Sequence, residues 1–464
     1  MAPKIKAQNF DDYYDLAIDI EDKADRLGFD LKTLQKFEQS INCYNQALNY
    51  MPESLDCLYN KSRLLLEISL NYKFPIDAIE YLKESIRNFN LVINLSRQSN
   101  GQKLIQFDSM FNLSQAYSNL SEYLLDLNDE SSAIANYNIS IEILVNLVNE
   151  QNHLLNSNSN LKINDENDDD NNFMQLTPYQ VISNIKFLIE NYLKLFELLD
   201  DVRLLDISQN FLNDAVNLNN LVDDDFKEVD SLMLLQAKIH LNQFESADKT
   251  LQTFEFANKV IEEYKVILNL RNSSNDANKV EILCEISECF SSINKLLLLN
   301  GHISSSQSWN ILNESCKFLN SALDLENSLK SIGNVDPNSI SNQMKILIEM
   351  SVISLNRGSL KDFNNDIAMK NYQTLVKNSE VYLTRCIQLS QPIDKVNLSY
   401  KIEDSKIEAI KRLIRLRVGV MGLSIESQSH LFGLIKGSSN DKLKKAIEEE
   451  ELIKVVNDDI WLIM

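Results

Sequence analysis

Chemistry in a chain begins with a few side-chain types, and here the reactive ones are thinly spread. Histidine occurs four times, at His153, His240, His302 and His430, and none stands beside a cysteine or carboxylate at nucleophile or metal-ligand spacing. His153 falls in a polar stretch, His302 follows Gly301, and His240 sits within a helical pattern where packing is the simpler role. The six cysteines are Cys43, Cys57, Cys284, Cys289, Cys316 and Cys386. Their spacing matches neither a disulfide framework nor zinc ligation, so they read as small buried hydrophobes in a reducing compartment. There is no HExxH, and neither Gly301 nor Gly358 belongs to a glycine-rich loop able to cradle phosphate. The acidic run Asp165–Asp170 lacks the glycine and closing glutamate of a calcium loop and reads as a solvated insert. Asp223–Asp225 and Glu448–Glu451 read as helix-start and solvent-face charges. No enzyme activity, cofactor or metal is expected.

The formal charge of −22 argues against nucleic acid, whose backbone needs clustered Lys and Arg. It suits a basic protein partner, or solubility alone. The start, MAPKIKAQNFDDYYDL, turns acidic without an apolar core, so no signal peptide is expected. No uninterrupted apolar run approaches the roughly 18 residues of a membrane span, so no membrane role is expected. The expected location is cytoplasmic or nuclear.

Any binding function must therefore come from how the elements present ordinary side chains. Nine glycines and six prolines in 464 residues leave few sites for tight β-turns, and long Leu/Ile-rich segments point to an all-α protein. Tyr13, Leu16, Ala17, Ile20 and Ala24 keep a helical period from Asp12 to Leu27, and Gly28 can end that helix. A partner helix follows from Lys32 to Met51. A second pair runs from Pro52 to Ser96, broken near Asn71–Pro75, and a third from Lys103 to Glu150. The Asn/Asp/Ser-rich stretch 151–175 has no periodicity and is expected to be a disordered loop. Helical pairs resume at Thr177-Pro178, with a turn expected at 242–247 opening a helix through Phe244, Ala247, Leu251 and Phe254. Further helices are expected from Val280 to Leu299, Ile340 to Asn356, Asp366 to Leu389 and Lys401 to Leu423, with a short helix from Asp441.

Within these pairs a motif recurs. Ser40, Tyr44 and Ala47 are followed by Pro52 and then by Leu58, Ser62 and Leu65. Ser85, Phe89 and Val92, then Ala133, Tyr137 and Ser140, then Ser208, Leu212 and Ala215, then Ser315, Leu319 and Ala322 repeat the four-three spacing. Small residues let paired helices approach, larger ones fill the gap, and proline opens the next helix. This resembles the tetratricopeptide repeat (TPR), whose hairpins stack into a solenoid with a concave inner surface. The resemblance implies a TPR-like array at 12–150, a second helical-repeat array at 176–390, a flexible tail at 1–11 and a C-terminal helical region at 391–464.

TPR proteins that hold the acidic tail of Hsp70 or Hsp90 carry Lys, Asn and Arg on their inner helices. Asn60 occupies the place of one such asparagine, but Asp108 and Asn112 stand where the third inner helix should be cationic. Asp25 and Phe29 stand where the first should offer Lys and Asn. The resemblance therefore implies no Hsp70/Hsp90 tail clamp, and leaves Asn60, Asp108 and Asn112 as candidate partner-binding residues. Lys406, Lys411, Arg412, Arg415 and Arg417 flank the apolar Ile407, Ile410, Leu413, Ile414 and Leu416. That stripe could dock onto the array, meet an acidic partner, or touch RNA or membrane, and covering its apolar face is the simplest of these roles. The expected function is a non-enzymatic adaptor or chaperone, on the analogy of acidic TPR-like chaperones of ribosomal proteins. The alternative is a scaffold subunit of a larger complex. A prenyltransferase α-chain is disfavoured, because that family repeats a tryptophan motif and only Trp309 and Trp461 occur here.

Overall fold

The computed structural model describes residues 8–27, 31–72, 75–98, 103–159, 176–222, 228–248, 251–270, 277–329, 337–390, 400–422 and 431. Among them the chain is all-α and of TPR-like helical-hairpin solenoid class, with fifteen α-helices and no strand. It divides into two compact units, Met1–Gln243 and Phe244–Met464. The first contains α1 (Phe10–Asp25), α2 (Leu31–Tyr50), α3 (Leu55–Tyr72), α4 (Pro75–Gln98), α5 (Lys103–Asp126), α6 (Glu130–Ser159), α7 (Pro178–Leu199) and α8 (Arg203–Asn219). Next comes α9 (Val229–Ser246). The second unit contains α10 (Phe254–Leu270), α11 (Ala277–Leu299), α12 (Ser305–Leu329), α13 (Pro337–Ser359), α14 (Asp366–Ser390) and α15 (Tyr400–Arg415).

Local chemistry sets the ends of these helices. Asn9 caps α1 by accepting from the Asp12 backbone N–H at 2.9 Å. Thr177 and Gln180 form a reciprocal capping box ahead of α7, with Pro178 in the first turn. After α11, Gly301 adopts φ +73°, which lets His302 N–H return to the Leu297 carbonyl at 2.9 Å. A Cβ at Gly301 would meet nothing, so the left-handed backbone is the reason for glycine there.

A buried hydroxyl fastens five of the helix pairs. Ser40 Oγ of α2 donates to the Ala17 carbonyl of α1, Ser85 of α4 to Ser62 of α3, and Ser140 of α6 to Ser114 of α5, each at 2.8 Å. Ser315 of α12 donates to the Ser287 carbonyl of α11 at 2.9 Å, and the Ser351 and Ser379 hydroxyls join α13 to α14 at 2.6 Å. Small residues allow this approach, and a hydroxyl buried without its acceptor would cost about 1–3 kcal/mol, so the bond also holds register. Four and seven residues after each serine come Tyr44 and Ala47, Phe89 and Val92, Leu144 and Leu147, Leu319 and Ala322, Leu383 and Cys386. In α8, Ser208, Leu212 and Ala215 keep the same spacing, and no member of these six triplets is more than 1 % exposed.

Several sequence expectations change. In α6 the serine contact makes Ser140 the first of its triplet, so Ala133 and Tyr137 are core residues further up the helix. The turn expected at 242–247 is mostly the last turn of α9. The next helix starts at Phe254, where Thr253 Oγ1 accepts from Phe256 N–H at 3.2 Å, and Leu251 stays exposed outside it. Helix α6 continues to Ser159, into the polar stretch, which places His153 on a helix. The C-terminal helix ends at Arg415 and passes into one π-helical turn, Leu416–Val420. Its apolar residues Ile407, Ile410, Leu413, Ile414 and Leu416 are buried in a core shared with α13 and α14, so it does cover the array. Gly28, Phe29, the acidic runs at 165–170, 223–225 and 448–451, His430 and the helix expected from Asp441 lie outside the described residues.

Candidate protein-binding face

The serine contacts give a register that sequence spacing alone obscures, because the repeats differ in length. Counted back from Ala17, Ser62 and Ser114, the third residue is Tyr14, Tyr59 and Phe111. The second is Asp15, Asn60 and Asn112, and the sixth is Asp11, Asp56 and Asp108. Helices α1, α3 and α5 thus repeat an aromatic and a carboxylate group on the odd-numbered member of each pair, and α3 and α5 add an amide where α1 has Asp15.

Hydrogen bonds knit the row together from helix to helix. Asn60 Nδ2 of α3 donates to the Tyr14 hydroxyl of α1 at 3.1 Å, and Asn112 Nδ2 of α5 donates to the Tyr59 hydroxyl of α3 at 3.3 Å. Each phenol, accepting one bond, keeps its own O–H free to donate, and each amide keeps its carbonyl oxygen. Phe10 stacks on Tyr14 with centroids 5.6 Å apart, and Phe111 meets Phe187 of α7 edge-on at 5.6 Å. One such face therefore runs across α1, α3, α5 and α7.

Its charge is negative. Burial and the nearby Asp56 push the Tyr14 phenol up, with the Asn60 bond opposing. Burial and Asp108 do the same to Tyr59, opposed by Asn112. Asp108 is exposed to water, yet desolvation holds its carboxyl above the ordinary range. Among the described residues no cation pairs with Asp11, Asp15, Asp56 or Asp108. Further along α1 and α3 the charges are satisfied: Glu21 accepts from Arg63 and, at 3.0 Å, from the Tyr44 hydroxyl.

No family model matches. The Schizosaccharomyces pombe UPF0656 protein C926.02 is 31% identical over 133 residues, covering 28% of this chain and 28% of that protein's length. Among solved structures, the chain is similar to the S. pombe nuclear import adaptor Nro1 at 12% identity, covering 70% of this chain and 98% of that one, with a TM-score of 0.32. It is similar to the human IFIT1 dimer with m7Gppp-AAAA, at 14% identity over 98% and 97% of the two chains and a TM-score of 0.25. Similarity to the TPR2AB domain of yeast Sti1, in its pHSP90 complex, is 13% identity over 68% and 95%, with a TM-score of 0.17.

Asp108 and Asn112, one turn apart on α5, meet Tyr59, whereas Asn60 meets Tyr14. Asp25 sits at the end of α1, its carboxyl pushed up by burial and then by Asp22. Sequence reasoning missed Tyr14, Tyr59 and the Phe111–Phe187 pair, since a tyrosine on a helix carries no signal of its own. Aligning the chain on its buried serines would have exposed the Tyr, Tyr, Phe column. The histidines do not converge: His153 and His302 are exposed, and His240 Nε2 lies 2.9 Å from Gln236 of its own helix. Among the described residues no three His, Cys, Asp or Glu side chains are placed to hold a metal ion, and no helix is long and apolar enough to cross a membrane.

Proposed function

We propose that the α1–α3–α5–α7 face binds a basic, extended segment of another protein, making the chain a non-enzymatic adaptor or chaperone. The observation that carries this reading is the row Asp11, Asp56 and Asp108, repeated on the alternate helices α1, α3 and α5 beside aromatic rings and unpaired with any cation among the described residues. Unpaired carboxylates supply charge complementarity to lysine and arginine, while the rings pack against their aliphatic stems and the phenols donate to the backbone carbonyls of the segment. Ribosomal proteins carry such segments and are the client class proposed. Asp108 standing in a cation-demanding position speaks against an acidic Hsp70 or Hsp90 tail on the same face. A cytoplasmic or nuclear setting belongs to the proposal. Six free cysteines support it, Cys57 and Cys386 having thiols that burial pushes up to about 12.

The test is titration of a Lys/Arg-rich peptide at low and moderate salt, with the Asp56→Asn/Asp108→Asn double variant alongside. The expected result is saturable binding that weakens with salt and falls about tenfold in the variant, about 1.4 kcal/mol. Salt-insensitive binding, or binding unchanged in the variant, overturns the electrostatic reading. Binding of an acidic chaperone tail that is lost with Asn60→Ala would overturn the assignment of sign.

A further inference from the structure

In the second unit one charge lacks the counter-ion it calls for. Arg357, in the last turn of α13, lays its guanidinium over the buried Trp309 ring of α12, 4.5 Å from the centroid. Its Nε is buried without an acceptor, and no carboxylate among the described residues pairs with it. Acidic residues outnumber basic ones by 67 to 45 in this chain, so a half-buried guanidinium facing no carboxylate is a conspicuous exception. Partial burial strips such a group of water, and a carboxylate meeting its terminal nitrogens offsets that loss.

A cleft of about 400 Å³ opens beside Arg357, lined by Asn310, Asn313, Glu314, Lys317 and Asn320. Lys317 and Glu314 neutralise each other at 2.5 Å, which leaves Arg357 to set a positive sign. Asn310, Asn313, Lys317 and Asn320 recur at steps of three and four, one stripe along α12. From Asn313 to Asn320 the helix rises about 10.5 Å, the reach of about three residues of extended chain. An amide side chain presents a donor and an acceptor together, the complement of a peptide unit. Asn310 and Asn313 hydrogen-bond to nothing among the described residues, whereas Asn320 Nδ2 is engaged with the Cys316 carbonyl at 2.8 Å.

We propose that this cleft binds an extended peptide segment through its backbone and pairs Arg357 with a glutamate or aspartate side chain of that segment. The site belongs to the second unit, the carboxylate row to the first, and the two take ligands of opposite charge. It neither requires nor excludes the basic client.

Trp309 and Trp461 are the two tryptophans, so Trp461→Phe in the full chain leaves Trp309 as the sole indole emitter. The probes are a blocked glutamate octapeptide, its glutamine counterpart and its phosphoserine counterpart. The glutamate peptide should shift Trp309 emission saturably and the glutamine peptide bind about tenfold more weakly or not at all. Arg357→Gln should cost at least about tenfold, Arg357→Lys less, and Asn313→Ala a smaller but measurable amount. Asn313 is half-buried and holds no hydrogen bond among the described residues, so its variant tests the site even if Arg357→Gln loosens the fold by circular dichroism. An absent or unsaturable shift, equal affinity for the glutamine peptide, or affinity unchanged in both Arg357→Gln and Asn313→Ala overturns the proposal. Tighter binding of the phosphoserine peptide overturns the assignment to carboxylate.

Discussion

The two units use one register for different ends. Three residues before the fastening contact, the first unit carries Tyr14, Tyr59 and Phe111, where α11 and α13 of the second carry Cys284 and Ile348. Two residues before it, Asp15, Asn60 and Asn112 give way to Glu285 and Glu349. Helix α15 packs against α13 and α14, its Ile407, Ile410 and Leu413 joining their core, and Arg412 and Glu408 act on Glu349. The same position is thus an aromatic row in one unit, while on α13 of the other it lies beneath a helix. A repeat scaffold fixes where a side chain points, and what covers that side chain decides whether it can bind a partner.

The comparison breaks most sharply in the core. Ala47 and Ala322 occupy equivalent places seven residues after their serines, and neither is exposed at all. Ala47→Arg and Ala322→Arg should each cost about 3–5 kcal/mol, since an unpaired guanidinium would be forced into a closed site. Calorimetry should show each variant losing the transition of its own unit and keeping the other. A single transition lost in both variants would mean that the units do not melt independently.

Uncovering the second unit's row comes next. Ile410 of α15 is wholly buried, and Ile410→Asp should loosen that helix at a cost of about 3 kcal/mol, read by urea denaturation. Binding of a basic peptide to the first unit should not change. If it does, α15 influences more than the row it covers.

The fastening serines offer a smaller contrast. Ser85→Ala removes a bond between two helices and should cost about 1 kcal/mol. Ser208 bonds the Leu204 carbonyl of its own helix at 2.8 Å, so Ser208→Ala should cost less. Equal losses would show that the hydroxyl matters for burial alone.

Glu349 gives the mildest test, through pH. Burial holds its carboxyl above the ordinary value of 4.5, with Arg412 opposing and Glu408 adding to the rise. A raised carboxyl binds its proton more tightly when folded, so its contribution to stability is complete below the ordinary range. That contribution is lost as pH rises through the folded value. Glu349→Gln should therefore be more stable than the parent at neutral pH, with the gain shrinking on acidification. A variant no more stable at neutral pH would mean that the Arg412 attraction outweighs burial.

Much of the fold could be read from residue order alone. Scarce glycine and proline, long apolar periods and the small-large-small triplets specify paired helices, because backbone propensity and close approach between neighbours are local matters. The serine triplets at Ser40, Ser85, Ser208 and Ser315 could be placed before any coordinates, as each lies within two turns of its own helix. Asn60, Asp108 and Asn112 could be named by register, but not the phenols they surround. Tyr14 and Asn60 are 46 residues apart, and Tyr59 and Asn112 are 53. Repeats of unequal length hide such pairs until packing brings the helices together. Cover is likewise a tertiary property: the stripe on α15 is amphipathic in sequence, and only its seat on α13 and α14 decides that its apolar side is core. Desolvation at Asp108 and Glu349, and the missing counter-ion of Arg357, depend on what lies nearby in space. Residue order sets the charge of each group, and the distances between helices set what that charge costs.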